Sequence, residues 1–233
     1  MATVRFDLGE NTQTTLFQSK IGGKPYMPIG VEYPMHTKKQ RPLVLLAQIN
    51  FAEMPPLEDF PTKGILQFFI DGLDSELFGI DAENEWKQDG FRVIYYPDIL
   101  PESQLQTDFS LYKVDIPYSE YGFNLLGEYP IIYKEIETED DCNDYYNERN
   151  IFNKIGGVPC FVQGDPFANP YIDDYGNFCE SNVSAWSFEM LLQIGGNEQG
   201  ILWGGYNSAN FFIKPKNLKN LDFSEVAFCW VGG

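Results

Sequence analysis

A single histidine, His36, serves all 233 residues, and that scarcity excludes much chemistry. A Ser-His-Asp or Cys-His enzyme would have to use it, yet no Gly-x-Ser-x-Gly elbow or other nucleophile motif accompanies it. Without a second imidazole it is also a poor start for a metal site, so a loop residue is the expectation. Cysteine is sparse too. Cys142, Cys160, Cys179 and Cys229 stand far apart with no C-x-x-C pair, which rules out a zinc ribbon or finger and a disulfide scaffold. Reduced, buried thiols are the default, with a Cys160–Cys179 bridge left open. No phosphate-cradling glycine motif occurs, so nucleotide, nicotinamide and flavin cofactors are not expected. No stretch approaches the ~18–20 apolar residues that cross a bilayer. The start, "MATVRFDLGENTQTTLF", lacks the basic-then-apolar order of a secretory signal, which points to the cytoplasm.

Positive charge is the other shortage. Sixteen Lys and Arg stand against thirty-four Asp and Glu, a formal net charge of −18. A field of that sign repels phosphate, so DNA, RNA and anionic membranes are poor partners, while a cation or a basic protein is attracted. Solubility is the plainer use of the same charge.

What the chain does have is a repeated phrase. "KIGGKPYMPIG" (20–30) returns as "KIGGVPCFVQG" (154–164), and each copy is followed by matching apolar runs in the same order. The first set is "LVLLAQI", "GILQFFI" and "RVIYY"; the second is "FEMLLQI", "GILWGGYNSANFFI" and "EVAFC". Two like units, 19–97 and 153–231, joined by an acidic, partly helical connector, 98–152, follow as the simplest reading of one globular domain spanning 1–233. Gly22-Gly23-x-Pro25 and Gly156-Gly157-x-Pro159 read as helix endings, with Lys in the last turn, a left-handed glycine and a proline that stops the helix. A longer helix is expected from Thr138 up to its Gly156-Gly157 ending, where Cys142, Tyr145, Tyr146, Phe152 and Ile155 recur at helical intervals. Trp186, Phe188, Met190, Leu192 and Ile194 alternate with the residues between them, the period of a strand with one face in a core. Fifteen prolines and twenty-one glycines argue against long helices. The expectation is a mainly β, roll-like fold bordering on α+β, internally duplicated with pseudo-twofold symmetry, its two sheets packed together with a few short helices.

The strings "GGKPYMPIGVEYP", "PLVLLAQINFAEMPPLEDFPTKGILQFFI", "NKIGGVPCFVQGDP" and "GILWGGYNSANFFIKPKNLKNLDFSEVAFCW" resemble the bacterial YwqG-like family over nearly the whole chain. The resemblance implies the duplicated β roll and transfers no catalytic set. It also implies proximity to toxin–immunity genes, hence an interaction role. The family's Gly-Asp-Pro turn continues with a basic residue, whereas Phe167 stands here, which weakens any anion-binding role for that turn.

Two acidic clusters are candidate cation sites. "EIETEDDCNDYYNE" (135–148) reads as a solvated helix start. "YIDDYGNFCE" (171–180) gathers Asp173, Asp174, Asn177 and Glu180 around a glycine, a weak metal candidate that lacks calcium-loop spacing and reads better as a β-turn. Trp203, Tyr206, Phe211 and Phe212 suit core packing better than a ligand platform. The leading functional reading is therefore a non-enzymatic, immunity-type module that binds a basic protein. The alternatives are a small-molecule or divalent-metal binder with a site between the repeats, and an enzyme built on carboxylates.

Overall fold

The computed structural model describes residues 1–118, 123–138, 152–161, 164–168, 171–172, 178–179, 184–196, 200–203 and 207–231. Most of the chain is strand. Ten strands form one antiparallel sheet: β1 (Thr3–Leu8), β2 (Lys20–Ile21), β3 (Val44–Asn50), β4 (Ile65–Ile70), β5 (Phe91–Tyr96), β7 (Tyr129–Glu137), β8 (Lys154–Gly156), β11 (Glu189–Gly195), β13 (Ser208–Ile213) and β14 (Val226–Val231). Their order across the sheet is β14-β13-β11-β8-β1-β7-β2-β3-β4-β5. Two small ribbons pair β6 (Phe123–Leu125) with β12 (Ile201–Trp203) and β9 (Tyr171–Ile172) with β10 (Phe178–Cys179). One short helix, α1 (Pro215–Lys219), and three single 3-10 turns complete the elements among the described residues.

Two expectations are corrected here. The sheet is continuous, where two packed sheets were expected, because β1 and β7 lie between the two matching sets of strands and hydrogen-bond to both. Lys20–Ile21 and Lys154–Gly156 are strands and not helix ends. The reason is main-chain pairing: Lys20 stands opposite Gln48 and Pro130, and Lys154 opposite Gln193 and Arg5, inside the sheet. The glycines do take left-handed angles, φ 70° and 75° at Gly22 and Gly23 and 70° and 77° at Gly156 and Gly157, but they turn the chain out of a strand. The helix expected from Thr138 to Gly156-Gly157 is overturned at its end, where Lys154–Gly156 is strand, and its 139–151 part lies outside the described residues.

The alternating stripe is also broken. In β11 the register against β13 shifts between Met190 and Leu192, leaving Leu191 as the extra residue of a bulge. Met190 therefore joins Phe212 in one cluster, while Leu192 and Ile194 enter the main core with Phe211. Trp186 sits in a 3-10 turn, 49% exposed, outside that core. β3 carries the same kind of shift between Leu45 and Ala47.

The sheet curls around one core that draws on both ends of the chain. Phe68 of β4 meets Phe211 of β13 at 4.8 Å between centroids, and Phe91 of β5 meets Phe228 of β14 at 5.5 Å. The two outer strands thus approach each other across a seam, which the loop before β5 fills. Gln88 accepts the Val93 N–H at 2.8 Å and donates to the Phe223 and Ser224 carbonyls at 3.2 and 3.0 Å. The Phe228 N–H donates to Glu85 O at 3.0 Å. One side-chain amide does here what a missing strand would do.

Gly22 tests the turn geometry. A Cβ there would lie 2.6 Å from Gly127 O, whereas at Gly30 (φ 86°) it would meet nothing within 4 Å. Both substitutions carry left-handed strain of about 1 kcal/mol, and only Gly22→Ala adds a backbone clash. Denaturant unfolding should show Gly22→Ala losing at least about 2 kcal/mol and Gly30→Ala about 1 kcal/mol; equal losses would refute the close-approach account.

Candidate functional site

The repeated phrase builds two clamps. Lys20 and Lys154 are both fully buried. The Lys20 ammonium donates to Thr15 O at 2.6 Å and to Lys24 O, and the Lys154 ammonium donates to Val158 O and to Cys160 Sγ at 3.5 Å. From the neighbouring strand, Gln48 accepts the Tyr26 N–H at 2.8 Å and donates to the Leu16 and Gln18 carbonyls. Gln193 likewise accepts the Cys160 N–H at 2.9 Å and donates to Phe152 O. Pro25 and Pro159 are buried beside them. Gly22, Gly23 and Pro25, like Gly156, Gly157 and Pro159, therefore belong to the loops that these side chains hold against the sheet. Burial pushes the Lys20 ammonium down to about 8, against the opposing pull of Glu128.

His36 is buried in the loop before β3, and its surroundings argue against catalysis. Its Nδ1 accepts the N–H groups of Lys38 and Lys39 at 3.3 and 3.4 Å, so the ring proton belongs on Nε2. Nε2 lies 3.7 Å from Asp71 Oδ2, a buried carboxylate already held by Arg41 at 2.6 Å and Lys39 at 3.4 Å. Burial lowers the His36 pKa, Asp71 notwithstanding. The imidazole has no free lone pair with which to take a substrate proton. Asp71 instead ties the 36–41 loop to the 71–79 loop, whose Phe78 (φ 55°) lies among Trp203, Trp230 and Phe123.

The cleft between the two matching sets lies at the seam. Arg92, Ile94, Tyr95 and Pro97 on one side face Leu221, Asp222 and Phe223 on the other across a cavity of about 660 Å³. A second cavity of about 550 Å³ continues it past Asp59, Lys63 and Lys219. Val93 N–H points toward the seam, so alternation turns the Tyr95 peptide groups the same way, away from β4. The cations of this cleft are mostly engaged: Lys63 with Asp98 at 3.0 Å and Lys219 with Asp59 at 3.2 Å.

The metal candidates Asp173, Asp174, Asn177 and Glu180 lie outside the described residues. Among the described residues no group of three or more His, Cys, Asp or Glu is placed to hold a metal ion. No helix there is long and apolar enough to cross a membrane. Trp203, Phe211 and Phe212 are fully buried core residues, and Tyr206 is outside the described set. Cys160 is disulfide-bonded, its partner cysteine outside the described side chains, which corrects the expectation of reduced thiols; Cys229 is free and buried. Sequence reasoning missed the two lysine clamps, Asp71 and Gln88. The clamps left a signal in the shared Lys-Ile-Gly-Gly and Gln-Ile strings; Asp71 and Gln88 left none.

The geometry defines a mainly β module whose buried ionisable groups are spent on structure. Residues 19–231 match DUF1963, a domain of unknown function, and the chain belongs to that family, in keeping with its YwqG-like strings. No curated protein matches it.

The lowered Lys20 pKa has a sign that experiment can read. The unfolded chain keeps its proton up to the ordinary 10.5, while the native state releases it near 8. Native stability therefore gains from this site as pH rises from about 8 toward 10.5. Urea unfolding of the protein and of Lys20→Met at successive pH values isolates that gain, because tyrosine ionisations common to both cancel. The stability difference between the two should change across this window in favour of the lysine protein; a constant difference would refute the buried-ammonium reading.

Proposed function

We propose that the protein is a non-enzymatic, immunity-type binding module that takes a basic protein partner through its acidic surface. The observation carrying this reading is an imbalance in pairing. Lys38, Lys39, Arg41, Lys63, Lys87, Lys113, Lys214 and Lys219 each hold a carboxylate, and Lys20 and Lys154 are buried. Glu10, Glu32, Glu58, Glu76, Glu83 and Glu102 are exposed and stand in no ion pair among the described residues. Most of the bases are thus neutralised, Lys24 and Lys216 being exposed exceptions, and the acidic field is left to solvent, which favours a cationic surface and speeds its approach.

The reading includes an internal duplication with pseudo-twofold symmetry. Its support is the mirrored strand order about β1 and β7, the matching Lys–Gln clamps, and the equivalent bulges in β3 and β11. Cytoplasmic residence belongs to the proposal as well. The disulfide at Cys160 weighs against it, and thiol titration of protein isolated under alkylating conditions decides: a reduced Cys160 supports a reducing compartment, an oxidised one opposes it.

Affinity capture at about 50 mM and about 500 mM salt, with mass-spectrometric identification, tests the main reading. One basic protein should be retained at low salt and lost at high salt, and the triple variant Glu58→Lys, Glu76→Lys, Glu83→Lys should bind it at least about tenfold more weakly. Binding indifferent to salt and to charge reversal would overturn the electrostatic account.

A further inference from the structure

Beneath the 105–114 segment, on the outer side of β3, lies a cavity of about 380 Å³ that the seam does not share. Its size falls within the range of small-molecule sites. Its walls are aromatic and aliphatic: Tyr33, Phe109 and Tyr112 with Pro25, Leu43 and Leu45. Tyr33 and Tyr112 stack with centroids 4.3 Å apart and planes 4° from parallel. Tyr33 is fixed there, its hydroxyl donating to Leu43 O at 3.0 Å and its edge set against Phe69. The result is a flat, preformed wall.

The rim is polar and its charges differ in availability. Lys113 holds Asp115 at 2.8 Å. Lys24 has a long bond of 3.4 Å to Thr107 O and, like Lys216, no carboxylate within ion-pair distance among the described residues, although Asp108 on the same rim lies within its electrostatic reach. Leu111, on the same 3-10 turn as Tyr112, is 87% exposed, an apolar side chain held out beside the cavity. On the other half of the sheet, the face over β11 is filled by the protein's own rings, Trp86, Phe167 and Phe188, with centroids 4.9 to 6.1 Å apart. Over β3 Phe109 and Phe69 stand 6.2 and 5.9 Å from Tyr33, and a cavity remains beside the stacked pair.

We propose that this cavity is a binding site for a small planar aromatic anion, its ring laid on the Tyr33–Tyr112 wall and its carboxylate or sulfonate paired with Lys24. The aromatic wall supplies stacking and dispersion, and Lys24 supplies the charge-assisted bond that selects an acid over a neutral or basic analogue. Elsewhere the acidic surface repels the same anion, so binding should concentrate at this one place.

The probe is 2-naphthoate, with 2-naphthalenemethanol as its neutral counterpart, titrated into the full chain and followed by amide NMR shifts. Naphthoate should shift Lys24, Tyr33 and the 108–114 amides at millimolar or lower concentration, and bind about tenfold more tightly than the alcohol. Lys24→Gln, an exposed substitution that leaves the fold intact, should remove that preference while leaving the alcohol's affinity unchanged. Tyr112→Ala should weaken both ligands. An absence of shifts in these residues at about 5 mM naphthoate overturns the site. Equal affinity for acid and alcohol, or a preference that survives Lys24→Gln, overturns the assignment of an anion. Because no macromolecular partner enters the experiment, its failure leaves the protein-binding reading standing, and the reverse also holds.

Discussion

An ammonium group without water is costly unless other oxygens replace its hydration, and Lys20 meets that demand within its own loop. The carbonyls of Thr15 and Lys24 reach the ammonium only if the chain reverses at once after Ile21. Two residues must then adopt left-handed angles, which is where Gly22 and Gly23 stand. The reversal brings Tyr26 over the sheet, where Gln48 catches its main chain and Gln67 its carbonyl at 2.7 Å. Strand β2 is only two residues long, yet it bridges β7 to β3. Its position depends on this clamp more than on its own ladder. Lys154 and Gln193 repeat the device between β8 and β11, so the continuity of the ten-stranded sheet rests on two short strands held from outside.

Continuity has a further consequence. A sheet this long twists and curls, and the curl brings β5 toward β14 around a shared set of phenylalanines. Direct pairing of the two edges would close the sheet. Instead the 85–88 segment enters, with Gln88 bonded to both sides and Trp86 set against Phe188 at 4.9 Å. Phe78 fills the core near Trp203 and Trp230 at the cost of a strained φ, which the Asp71 network holds in place. The loops between β4 and β5 are therefore structural parts of the roll.

Much of this was legible in the amino-acid order, and the failures have definite causes. Apolar runs located β3, β4, β5, β11, β13 and β14, because buried strands leave short Val-, Ile- and Phe-rich segments between turn residues. The helix endings were misread because Lys-Ile-Gly-Gly-x-Pro has the same local chemistry whether a helix or a strand precedes it. Only the pairing of Lys20 with Gln48, twenty-eight positions away in sequence, distinguishes the two. The broken stripe of β11 has a similar origin: a bulge at Leu191 inserts one residue, and no residue type announces it. Asp71 and Gln88 were invisible since their partners, Arg41 and Ser224, are set by tertiary closure. Of the candidate site residues, the glycines and prolines fell on the clamped loops, while the acidic quartet lies outside the described residues.

A catalytic group needs unsatisfied capacity beside a cavity: a free lone pair, or a carboxylate that can still take a proton. Here His36, Asp71 and Lys20 do not line the cavities at the seam and beside β3 and are already engaged. His36 is held by two main-chain N–H groups, Asp71 by Arg41 and Lys39, and Lys20 by carbonyls. The cavities, in turn, are lined by tyrosine, phenylalanine, proline and leucine together with charged residues, several of them already in ion pairs. Such a division suits recognition, where shape and surface charge do the selecting. Because most of the lysines and arginines are held in pairs or in the interior, several glutamates face solvent uncompensated, and on the proposed reading that charge is the surface offered to a cationic partner.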